Sequence, residues 1–354
     1  MKNKLLYLLA TSIAIAGAYS CSDNDENGGG DRNSDKMLSV RALLYGSTRV
    51  DCNAFEKNQK IRVYYNHYNL NTTYEFLQGV YQSPDSEDVN DKWADIPWAP
   101  NPGDDEAKSI YLEDIKAPNS DNEWFFTATT YPEPNVENEN YNVYQVESDQ
   151  TAAEKFAAGD FLAARAVYTN DSWKSSGIRL HFRHLLSRLV VKVILPQGLE
   201  ADGYFPSPGS VTMTATVNKK YTQYSVIYNN QVRDGELFTV NESTGGPMVD
   251  VRMHKIGTKD ITISAGAAAE HTFSAIIPAQ YTGMDALLSF VINGKNYSYK
   301  PATANTVVLK QEHITNIQLI MLSGAGNQKL VLNKVTLTPW IVDKAEVGDL
   351  IPEE

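Results

Sequence analysis

Apolar residues fall on every second position through most of this chain, the period of an extended strand with one buried face. In MLSVRALLY (37–45), Leu38, Val40, Ala42 and Leu44 share one face, with Ser39 and Arg41 on the other. IRVYYNHY (61–68) predicts a second strand, and WFFTATTYP (124–132) another, ended by a proline that cannot donate to a ladder. Ile178, Leu180 and Phe182 alternate with Arg179, His181 and Arg183; after a short interruption, LVVKVIL (189–195) is apolar on both faces, the mark of a central strand. VTMTATV, QYSVIY, ELFTV, DITISA, HTFSAIIP, NTVVLK, HITNIQLIML and KLVLNKVTLTPW continue the series. Asn293-Gly294 sits between two alternating runs in LLSFVINGKNYSYK and predicts a tight hairpin. Residues 82–123 are loop-like apart from SIYLEDI (109–115), and only 154–168 has a helix-like composition, read as a helical turn or helix leading into a strand. The expected fold is all-β: two antiparallel β-sandwiches in tandem, 37–175 and 176–354, divided where the composition changes at Ser175-Ser176-Gly177.

The first 36 residues break this rhythm. Lys2 and Lys4 precede an apolar run from Leu5 to Ala18, too short for a spanning helix of about 20 residues and fitted to a signal peptide over 1–20. Ala18-Tyr19-Ser20-Cys21 resembles a bacterial lipobox, in which Cys21 becomes the acylated (palmitate-type) N-terminus; an ordinary secretory leader with an incidental cysteine is the alternative. Residues 21–36 hold the acidic, apolar-poor run SDNDENGGGDRNSD, a solvated tether that resembles a surface-export signal of outer-membrane lipoproteins. With Cys21 acylated, Cys52 has no partner, so packing alone must hold the fold. The formal charge of −12 without a basic stripe argues against nucleic acid, and no later segment is apolar enough to cross a membrane as a helix.

Catalytic patterns are missing. His181 and His184 form an HxxH, but three residues apart on a strand puts them on opposite faces, so no metal site is assigned. Cys52 lacks a visible histidine, there is no phosphate loop or GxSxG, and Gly28-Gly29-Gly30 lies in the tether. The carboxylates of NPGDDE (101–106) read as a solvated loop sooner than a calcium site, and Trp93, Trp98 and Trp124 read as core or end plugs sooner than a sugar platform. The chain is expected to be no enzyme and to need no cofactor.

DFLAARAVYT, IRLHFRHLLSRLVVKV and the final VTLTPW together resemble the fimbrillin family, the subunits of type V pili in Bacteroidales. Asp160, Phe161 and Leu162 match its acid-Leu segment; Phe182, His184, Ser187, Arg188 and Leu189 match the opening of its second domain; Pro339-Trp340 match its closing pair. Asn58-Gln59-Lys60 stand where the family often has Gly-Asp, and His313 near a usual tyrosine. The resemblance implies transthyretin-like sandwiches, arrival at the outer membrane as a lipoprotein, cleavage by an arginine-specific protease after the first strand, and polymerisation by strand exchange. On that scheme 37–45 is the removable strand, carrying Leu38, Val40, Ala42 and Leu44. Arg49 in YGSTRVD is the activating cut, with Arg41 as the alternative, while cutting at Arg32 would free the lipid without opening the groove. Residues 341–354 are the candidate donor strand, with Ile341, Val347 and Ile351 on one face and Asp343, Ala345 and Asp349 between them. The same tail could instead close its own domain. The implied partners are other pilus subunits in a homo- or heteropolymer, the outer membrane through lipid before processing, and a host or bacterial surface ligand for adhesion. A lipid-retaining anchor subunit and a surface glycan-binding lipoprotein are the other expectations.

Overall fold

The computed structural model of the chain describes residues 37–44, 60–67, 75–83, 94–96, 110–115, 123–130, 136–138, 141–197, 211–228, 238–242, 246–283, 285–303, 307–324 and 327–340. Cys21, Arg49, Cys52, Trp93, Trp98, the NPGDDE stretch, the leader and tether, and the tail 341–354 lie outside them.

Strands, numbered along the chain, form one seven-stranded sheet in the first half. Its spatial order is β1 (Val40–Leu44), β9 (Ile178–His184), β8 (Leu162–Tyr168), β5 (Trp124–Thr130), β2 (Lys60–His67), β3 (Glu75–Gln82) and β4 (Ala94–Ile96). Alternation aims Val40 and Ala42, Ile61, Val63 and Tyr65, Phe126 and Ala128, and Ile178, Leu180 and Phe182 into one core. Ile110 and Ile115 of the loop segment, and Trp173 of the short helix α2 (Trp173–Ser176), pack into that core as well.

The second core lies between two sheets. One has the order β15 (His254–Ile263), β16 (Gly266–Ile277), β10 (Ser187–Pro196), β21 (His313–Gly324) and β22 (Asn327–Pro339). The other runs β14 (Met248–Arg252), β11 (Met213–Tyr221), β18 (Leu288–Ile292) and β19 (Lys295–Tyr299). Leu189, Val191, Val193 and Leu195 of β10 face Met213, Ala215 and Val217 of β11 and Phe290 and Ile292 of β18 within it. As its unbroken apolar run requires, β10 is central, paired on both sides and covered on both faces. Asn293 (φ 46°) and Gly294 (φ 80°) make the two-residue turn between β18 and β19, both left-handed as a type I′ turn demands. A small ladder of β17 (Gln280–Tyr281) with β20 (Val308–Leu309) completes this half.

A third sheet stitches the halves together: β13 (Phe238–Glu242), β12 (Gln223–Tyr228), β7 (Tyr141–Gln145) and β6 (Val136–Asn138). All described strands belong to a single compact unit that starts at Lys36. Helix-like composition at 154–168 resolves into α1 (Ala153–Ala158), stopped at Gly159, followed by β8. Among the described residues no helix is long and apolar enough to cross a membrane.

The chain is all-β, but pairing is not antiparallel throughout. β1 runs parallel to β9, and β10 parallel to β21. Parallel neighbours need a long crossover, and each pair is separated by more than a hundred residues of chain that supply one. Residues 175 and 176 fall between β8 and β9, two strands of one sheet. The passage from the first core to the second comes later, at the Leu185-Leu186 corner after β9. An exposed, polar helix end interrupts the sequence pattern at 175, whereas the corner itself is apolar and leaves no such mark.

Candidate functional site

β1 lies at the free edge of the seven-stranded sheet, yet its inner face is shut away. Leu38 is 2% exposed, Val40 0% and Ala42 5%. Val40, Ala42 and Leu44 pair in register with Ile178, Leu180 and Phe182. Outside the ladder, the Ile178 amide donates to the Ser39 carbonyl at 2.8 Å, and the Leu38 amide to the Ile110 carbonyl at 2.8 Å. Met37 bridges to Tyr111, so the segment is held by β9 on one side and by the Ile110–Tyr111 segment at its start.

The turn after α2 fits against β1 without a gap. Gly177 has φ +77°, and a Cβ built on it would stand 2.7 Å from the Ser39 carbonyl oxygen and 2.8 Å from its Oγ. Only glycine permits both that backbone and that approach. Arg41 reaches across to donate from Nη1 to the Ser176 carbonyl. Trp173 fixes the turn from beneath, its ring 5.0 Å from Phe126 and 6.0 Å from Trp124. Trp124 is therefore half-buried packing, in line with the plug reading. Emptying this seat would uncover Leu38- and Val40-sized surface worth about 1.5–3 kcal/mol each, and would strand the edge hydrogen bonds of β9.

Residues that match the fimbrillin pattern, far apart in sequence, meet in one buried cluster. His184 is the fourth inward residue of β9 after Ile178, Leu180 and Phe182, while His181 points out, as strand alternation requires. The His184 Nδ1–H donates to Asp160 Oδ1 at 2.8 Å, with both side chains fully buried. The Trp340 ring stacks on the imidazole, centroids 4.0 Å apart and planes 2° off parallel. Arg188 lies over Trp340 at 5.9 Å and over Phe156 at 5.8 Å, and its Nε donates to Ser274 Oγ at 3.1 Å. Backbone bonds continue the seam: Leu185 N to Phe161 O at 3.0 Å, Glu312 N to Leu186 O at 3.1 Å, and Trp340 N to Glu312 O at 2.6 Å. Phe161 packs with Tyr144 and Tyr224 beside them, and burial pushes the Tyr224 phenol well above its ordinary range, with Tyr144 and Asp160 adding to the effect.

Asp160, His184 and Ser187 are the residue types of a hydrolase relay. The Ser187 hydroxyl and the His184 Nε2 are both buried without a hydrogen-bond partner, so the serine is not activated by the ring. With Trp340 on top, no substrate reaches either; the cluster is a fastener. Among the described residues no group of three or more His, Cys, Asp or Glu stands close enough to hold a metal ion.

Sequence reasoning missed three contributors. Gln150 is fully buried and its amide imitates a strand partner, donating to the Ile276 carbonyl at 2.8 Å and accepting from the Ile276 amide at 2.9 Å. Gln280 does the same for Tyr221, at 3.0 and 3.1 Å. Gly177 was visible only as part of a composition change; a lone glycine after a short polar run is the signal that was available.

The fimbrillin-like family model matches residues 48–340. No curated protein sequence matches the chain. Among solved structures, one described as a candidate cell adhesion protein from Bacteroides ovatus is 15% identical, with a TM-score of 0.54 over 87% of this chain and 99% of its own. Another of that description from Bacteroides uniformis is 16% identical, with a TM-score of 0.50 over 86% of this chain and 100% of its own. At these identities the likeness is one of fold. The family match begins after β1 and takes in every later described strand and the Asp160–His184–Trp340 seam, and on it the chain belongs to the fimbrillin-like family.

Proposed function

We propose that the protein is a structural subunit of a cell-surface pilus, exported as an outer-membrane lipoprotein through Cys21 and contributing to adhesion. Cleavage after Arg49 removes the segment carrying Leu38, Val40, Ala42 and Leu44, and an extended strand of a neighbouring subunit takes its place by β-augmentation. The tail 341–354, with Ile341, Val347 and Ile351, is in turn offered to the next subunit. Until the cut, the acylated cysteine holds a precursor whose groove is filled.

The observation that carries this reading is the seat of β1. It is an edge strand at the N-terminal end of the described chain, yet its inner side chains are nearly solvent-free. It is thus removable in topology and costly to leave absent. Arg49 is favoured over Arg41 because Arg41 lies within β1 and is bonded to Ser176, so a protease would first have to peel the strand away.

The test is the N-terminal residue and assembly state of the protein taken from the cell surface. A mature form beginning at Val50, within detergent-resistant multimers that dissociate on boiling, is the expected result. A form beginning at Cys21 and running only as a monomer would overturn the proposal.

A further inference from the structure

The seat of β1 is selective, and its selectivity identifies the class of strand that can replace it. This inference rests on the strand-exchange reading above. Each position along the seat presents a different demand. The first, occupied by Leu38, is closed and apolar and anchored to the Ile110 carbonyl. The second is occupied by Ser39, whose Oγ is buried and whose carbonyl and side chain lie against Gly177 so closely that a Cβ on that glycine would collide with them. A side chain longer than serine's has no space to extend there. The third, occupied by Val40, is fully buried. The fourth is permissive, since Arg41 runs out along the surface to Ser176. The fifth, occupied by Ala42, is buried and filled by one methyl. An incoming strand must therefore read large aliphatic, small, large aliphatic, any, small.

This chain's own tail does not. Its only small residues are Ala345 and Gly348. Placing Ala345 at the second position puts Lys344 or, in the reverse direction, Glu346 into the pocket of Leu38. Placing Gly348 there puts Val347 in that pocket, but then Asp349 takes the place of Val40 and Ile351 that of Ala42; the reverse direction puts Asp349 at the first position. Every register that seats a small residue at the second position buries a charge without a partner, which the cost of desolvation forbids, and the registers that bury none put Ile351 or Asp349 there instead. We infer that the groove is filled by an extended segment of a different protein, with the large–small–large–any–small pattern, and not by a second copy of this chain; the subunit is a heterotypic link.

The test uses the full chain with a specific protease site in place of residues 45–49, cut and freed of its N-terminal segment, and titrated with synthetic peptides by calorimetry. A peptide of residues 37–44 should bind one to one. Peptides carrying Val40→Asp or Ser39→Leu should bind at least ~100-fold more weakly, and the 341–354 peptide no better than they do. A doubly changed tail peptide, Asp349→Val with Ile351→Ala, should regain at least ~10-fold over the native tail. Tail binding equal to that of 37–44 would overturn the inference and leave strand exchange standing. Failure of the cut chain to bind 37–44 at all would sink both. In the uncut chain, Gly177→Ala should raise the rate at which a protease reaches Arg41, and unchanged protection would show that the second position is not read.

Discussion

His184 shows how much depends on a single side chain. Its ring is bonded to Asp160 on one edge and lies flat under Trp340, so it joins the end of β9, the approach to β8 and the last described residue of the chain. Replacing His184 by Ala removes the Nδ1 donor from a buried carboxylate and leaves a hollow under the indole. A loss of about 3–5 kcal/mol is expected, read from urea unfolding. The HxxH pattern announced that His181 and His184 face opposite ways; it said nothing of Asp160, 24 residues earlier, because only the folded β8–β9 pair brings them together. Tyr224 makes a second prediction. Its phenol ordinarily loses its proton near pH 10, and burial beside Tyr144 and Asp160 raises that value in the folded state. A raised folded-state value means the unfolded chain ionises first. Stability is therefore complete below about pH 10 and falls as pH rises from there through the folded-state value. Tyr224→Phe should flatten that decline in unfolding experiments between pH 9 and 11, with little change at neutral pH.

Among elements, the β18–β19 hairpin was fully legible, because its turn is local. Asn293-Gly294 between alternating runs has few other structures open to it, and both residues adopt the positive φ expected. Around Gly294 the space for a Cβ is empty, so backbone strain is the only obstacle to a side chain there. Gly294→Val should therefore cost about 1–3 kcal/mol without disturbing the packing of Phe290 and Ile292, a thermal shift with an unchanged near-ultraviolet spectrum. β10 was equally readable from its unbroken apolar run. β1 was only half so. Its apolar face was plain in the alternation, but its parallel partner β9, some 140 residues on, was not. Nor could the run of Ser175-Ser176-Gly177 disclose that it abuts Ser39; it reads as a linker and is in fact the wall of a seat.

Over the whole molecule, three cores divide the consequences of losing β1: the two already described and a third in which Tyr144, Phe156, Phe161, Leu185 and Ile276 gather around Trp340. Leu38, Val40 and Ala42 contribute to the first core alone, whereas the second is built from β10, β11, β16, β18 and β21 with no residue before Leu189. Removing residues 37–44 should speed amide exchange in β9 and β8 by ten-fold or more, while β10, β16 and β21 keep their protection, as mass spectrometry on the cut chain will show. The seam of Asp160, His184 and Trp340 lies in the third core, so the departure point of the tail should also stay fixed. By itself the sequence determined the all-β class, the inward face of most strands, the central place of β10, the hairpin at Asn293-Gly294 and the family, because each is written in a period of two, a turn dipeptide or a motif read over neighbouring residues. Only the tertiary structure decided that β9 belongs to the first core, that β1 runs parallel to β9 and β21 to β10, that the matched motif residues close on one another, and that Gly177 packs directly against Ser39. Those facts depend on which distant segments meet, and strand pairing leaves the residues of each strand free to look the same whatever neighbour they find.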